Sequence, residues 1–94
     1  MYPAPRKARW STAIEFLDGN RVEGVDDADA LDRWRMLAAW SDVAATNVVQ
    51  WQQRIIDRVR VFYGEPIPEV DATTPPTEFL DALFKAGVIR LQRL

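Results

Sequence analysis

Apolar and polar residues alternate from Ser11 to Leu17, where Thr12, Ile14 and Phe16 interleave with Ser11, Ala13 and Glu15. A period of two puts one set on a single face, which predicts a half-buried strand. Asp18-Gly19-Asn20 supplies residues that tolerate positive φ, and Arg21 to Val25 returns as a second short strand, so a β-hairpin is expected. In Asp26-Asp27-Ala28-Asp29 a carboxylate can accept the free N–H groups of a first helical turn, and its charge suits the positive end of the helix dipole.

The period then changes. Leu31, Trp34, Ala38, Ser41, Ala45, Val48, Gln52, Ile55, Val59 and Phe62 follow one another at alternating steps of three and four, inside 39 residues that hold neither glycine nor proline. Leu37, Trp40, Ala44 and Trp51 widen this stripe, and Asp32, Arg35, Gln50, Gln53, Asp57 and Arg60 fall opposite it. Residues 28–63 are therefore a long amphipathic helical region. One continuous helix would measure about 54 Å at 1.5 Å per residue. The apolar phase favours continuity, while the weak helix formers from Ser41 to Asn47 favour two helices, and both readings stay open.

Gly64-Glu65-Pro66 ends that region. Thr74 is expected to cap a third helix with Pro75 in its first turn, buried through Phe79, Leu80, Leu83 and Phe84 and closed by a left-handed Gly87. Val88 to Leu94 alternates again and predicts a last strand joining the hairpin. The expected fold class is α+β, with the N-terminal hairpin and C-terminal strand packed on two or three helices. Residues 11–94 form the single domain, and residues 1–10, with two prolines and three positive charges, form an extended basic arm.

At 94 residues the chain supports only a small core, which association commonly supplements. No run is long and apolar enough to span a bilayer, and no apolar leader follows the basic start, so the reading is a soluble cytoplasmic protein, or one held within a virion if virus-encoded. The absence of cysteine and histidine removes the thiolate nucleophile, the usual neutral-pH base and the commonest metal ligand. Ser11 and Ser41 have no partner base, and Asp18-Gly19-Asn20 lacks the further ligands of a calcium loop. The four glycines at 19, 24, 64 and 87 are too scattered for a phosphate loop. No enzyme, cofactor, metal or small-molecule substrate is expected.

Charge comes in blocks of +3, −6, +3, −5 and +3 over residues 1–10, 11–32, 33–63, 64–81 and 82–94. Solvated faces and dipole matching account for such blocks, and complementary subunit surfaces are the sharper reading. Four tryptophans are many for this length, and Trp serves both cores and interface anchors. The function expected is a non-enzymatic protein–protein interaction protein, a small assembly or adaptor subunit or a modulator of a larger protein. It would act on a protein partner or a second copy of itself, as a homo-oligomer, through the helix face of Trp34, Trp40 and Trp51 and an arm bearing Tyr2, Arg6, Arg9 and Trp10. The alternative is a winged-helix DNA-binding regulator. Against it, the candidate recognition helix carries Glu78 and Asp81 with one base, Lys85, and the pI is near 5.0.

Overall fold

A computed structural model describes residues 10–16, 19–38, 45–64, 67 and 70–94. In chain order the elements are β1 (Thr12–Phe16), β2 (Arg21–Gly24), α1 (Asp27–Leu37), α2 (Val48–Tyr63), α3 (Pro76–Lys85) and β3 (Ile89–Arg93). The fold is α+β. The three strands make one antiparallel sheet in the order β2-β1-β3, so the C-terminal strand joins the hairpin on its far side.

Alternation decides which face of the sheet is buried. Ile14 on β1, Val22 on β2 and Ile89 on β3 turn toward the helices and are at most 7% exposed. The other face carries Glu15, Arg21, Glu23 and Arg90, tied into an Arg21–Glu23 pair at 3.1 Å and an Arg90–Glu15 pair at 3.6 Å. The first layer therefore has one apolar side, and α1 and α3 cover it with Ala30, Leu31, Phe79, Leu80 and Leu83, all fully buried.

Asp26 begins α1 as expected: its Oδ1 accepts the N–H of Asp29 at 2.7 Å. The Asp29 carboxylate in turn accepts the N–H of Val25 and the Arg33 guanidinium, which hold it below its usual pKa. Gly24 is needed where β2 meets this turn, because a Cβ there would lie 2.2 Å from the backbone nitrogen of Ala30.

The central region is two helices. α1 closes at Ala38, and Asn47 opens α2 in an extended conformation with its Oδ1 accepting the N–H of Gln50 at 2.9 Å. Of the two open readings the structure has the one with a break, and the helix–helix contact explains why the apolar phase continues across it: each helix needs its apolar stripe to face the other. Gly64 ends α2 at φ 74°, and Gly87 lies at φ 77° after α3.

Three expectations need correction. Pro75, not Thr74, is the N-cap of α3, with Pro76 in the first turn and no side-chain cap; the Thr74 hydroxyl instead accepts the N–H of Asp71 at 2.8 Å. Phe84 is half exposed, at 51%, because at 100° per residue it sits at the edge of the arc centred on Leu83. Phe62 is 71% exposed although it is in phase with Ile55 and Val59, so the last turn of α2 outruns the core. Gln52, a polar residue within the stripe, is 2% exposed and its amide donates to the Thr74 carbonyl at 2.8 Å, fastening the connector before α3.

Candidate interaction surfaces

Of the three tryptophans expected on one helix face, Trp34 and Trp51 come together from two different helices, Trp34 from α1 and Trp51 from α2. Trp51 is 5% exposed and meets Trp34 edge to face, with ring centroids 5.4 Å apart. Trp34, half-buried on α1, lies 4.8 Å from the ring of Phe16. The sheet, α1 and α2 are thus joined by three aromatic rings. The Trp51 indole N–H meets no acceptor among the described residues. Trp10 is half-buried, with the Arg21 guanidinium 4.8 Å from its ring centroid. Tyr2, Arg6, Arg9 and Trp40 lie outside the described residues.

Trp34 and Trp51 remain accessible from one direction. With Ile55, Val59, Phe62 and Val88 they line an apolar groove of about 160 Å³, flanked by Arg54, Arg58 and Tyr63. Arg58 reaches toward the Phe62 ring at 5.8 Å, and Arg54 takes part in none of the ion pairs between described residues. Phe62 and Tyr63 are 71 and 50% exposed, so the groove opens onto an aromatic rim. Sequence reasoning placed Phe62 in the core and missed this rim; the signal for it was Gly64, which puts Phe62 in the last turn of α2.

The acidic cluster of the sequence is spent on structure. Asp27 receives the Thr12 hydroxyl at 2.6 Å, the Thr77 hydroxyl at 2.7 Å and two bonds from the Arg93 guanidinium at 3.0 and 3.1 Å. Arg93 also donates to Asp81 at 2.7 Å. Burial opposes ionisation of Asp27, yet the Arg93 and threonine bonds outweigh it and hold the carboxyl below its ordinary value. Arg93 is raised correspondingly, chiefly by Asp27. One carboxylate thereby ties together β1, α1, α3 and β3. Among the described residues no three carboxylates converge as a metal site would need, and no helix is long and apolar enough to cross a membrane.

No family model, curated protein or solved structure matches this chain. The site is therefore read from its own chemistry.

Proposed function

We propose that the chain is a non-enzymatic protein–protein interaction module, an adaptor or assembly subunit that docks a protein partner in the groove on α2. The observation that carries this reading is the conjunction of an apolar floor, Trp34 and Trp51, with two arginines at the margin and exposed Phe62 and Tyr63. Aromatic residues and arginine are the types enriched where interfaces concentrate their binding energy. The partner that fits brings one apolar side chain into the groove with a carboxylate beside it for Arg54. A helix docked by its apolar stripe presents this pattern.

The DNA-binding alternative gains no support from α3, whose exposed surface includes Glu78 and whose half-buried Asp81 is bound to Arg93.

A display selection of random peptides against the full chain tests the docking reading, with the Phe62→Glu/Arg54→Glu variant as counter-target. Enriched peptides should pair an apolar anchor with Asp or Glu and bind the variant at least about tenfold more weakly. Phe62→Ala alone should leave stability within about 0.5 kcal/mol, since the ring is mostly exposed. Peptides that bind the wild type and the double variant equally would overturn the assignment.

A further inference from the structure

β2 is an edge strand, and the hydrogen-bond parity of the sheet fixes what its free side offers. The Phe16 N–H donates to the Asn20 carbonyl at 2.8 Å, and the register pairs Ile14 with Val22 and Thr12 with Gly24. Bonded and non-bonded pairs alternate along an antiparallel ladder, so Val22 and Gly24 turn their peptide groups toward β1. Those of Arg21 and Glu23 point away from the sheet. The other side of β1 agrees: the Leu94 N–H donates to the Ser11 carbonyl at 2.8 Å, which assigns Ala13 and Glu15 to β3, while the Ser11 N–H, just before β1, turns back to the Gly24 carbonyl at 3.0 Å.

Beside this edge runs a groove of about 750 Å³, bounded on the helix side by one face of α1 that includes Arg33, Met36 and Leu37. Met36 and Leu37 are 58 and 65% exposed. An unpaired edge next to uncovered apolar side chains is a template for another strand.

The sequence of the edge selects the occupant. We propose that β2 pairs antiparallel with β2 of a second copy, about a two-fold axis through Val22. This register sets Arg21 opposite Glu23 of the second copy, and Glu23 opposite its Arg21. Those are the two residues whose peptide groups meet no main-chain partner among the described residues, so each facing pair exchanges both main-chain bonds and the interface gains four. Cα atoms of such a bonded pair lie about 5.5 Å apart, close enough for the side chains to pair across the strands. The three-stranded sheet becomes six-stranded, with both α1 helices on the same side and their Met36–Leu37 faces turned toward the axis. The other edge does not offer this complementarity: β3 carries Arg90 and Arg93 and no acid, and arginines along an edge discourage self-pairing. This surface is separate from the groove on α2, and its test does not depend on that groove.

Sedimentation of the full chain across a dilution series gives the baseline, and two charge reversals give the decision. Arg21→Glu places two acids opposite each other, and Glu23→Arg places two arginines opposite each other. Each alone should weaken dimerisation about tenfold, through two symmetry-related repulsions. An equimolar mixture of the two variants should recover a mixed dimer of wild-type affinity, and the double swap Arg21→Glu/Glu23→Arg should dimerise as the wild type does. Amide exchange at Arg21 and Glu23 should slow as the wild-type concentration rises. A wild-type chain that is monomeric at every concentration overturns the proposal. So does a dimer that both reversals leave unchanged, or a mixture that fails to recover. Phe62→Glu should not alter the dimer, which separates a failure here from a failure of the α2 docking reading.

Discussion

Asp27→Asn should be one of the most damaging isosteric changes in this molecule. The carboxylate accepts four bonds, from Thr12, Thr77 and twice from Arg93, and its side chain is 13% exposed. The amide keeps the volume but has one acceptor oxygen in place of two, and its NH2 must face a hydroxyl or the guanidinium. A hydrogen bond to a charged group contributes about 1.5–3 kcal/mol, and the 38% exposure of Arg93 argues for the lower part of that range per bond. With both guanidinium bonds disturbed, the loss should be about 2–3 kcal/mol, or roughly 10–20 °C in Tm for a domain of this size. Thermal and urea unfolding followed by circular dichroism measures it. Glu15→Gln is the control, because the Arg90–Glu15 pair is long and exposed and should cost under about 0.5 kcal/mol. The pH dependence gives a second reading. The folded pKa of Asp27 lies below its unfolded value, so its contribution is complete above about pH 5 and is lost as pH falls through the folded pKa. Between about pH 5 and pH 3 the wild type should lose more stability than Asp27→Asn does. A loss below about 0.5 kcal/mol at neutral pH, or parallel acid profiles, would refute the claim that this carboxylate fastens four elements together.

Gly24→Ala should cost about 1–3 kcal/mol, read from the urea midpoint, since the added Cβ meets the Ala30 backbone and only movement of β2 or α1 relieves it. Gln52→Leu preserves bulk but removes the donor to the Thr74 carbonyl, so a loss of about 1–3 kcal/mol is expected, with faster amide exchange in residues 71–74; unchanged exchange there would sink that role.

The hairpin, the acidic cap, the left-handed Gly87 and the return of β3 were legible because each rests on local chemistry: a period of two, a carboxylate before a helix, a glycine after one. The break between α1 and α2 was half legible: the weak helix formers from Ser41 to Asn47 marked where it could fall, but a stripe in constant phase serves a straight helix and a folded-back pair equally, and the decisive Asn47 cap is one side chain. The clamp was illegible for another reason. Asp27 draws its partners from 15, 50 and 66 positions away, so only the assembled register brings them together. The α2 groove was half legible: Trp34 and Trp51 were singled out, but as parts of one exposed face. The pattern cannot say where the core ends, which is what leaves Phe62 outside it.

The two surfaces divide α1 between them. Asp29, Asp32, Arg33, Met36 and Leu37 fall on one arc facing the β2 edge, while Trp34 sits roughly 130° away around the helix and lines the groove with α2. A strand-paired dimer would therefore leave Trp34 and the groove untouched in each copy. It would display two grooves related by the two-fold, and a partner with two matching segments would bind the second at the effective concentration set by the first. The single-groove contact is small, so this arrangement predicts a specific dependence. A tandem of two selected peptides should gain affinity for the wild type over one peptide alone, and that gain should vanish for Arg21→Glu at concentrations where the wild type is paired and the weakened variant is not, its groove being intact. Equal gain for both chains would mean that the tandem exploits something other than pairing through β2.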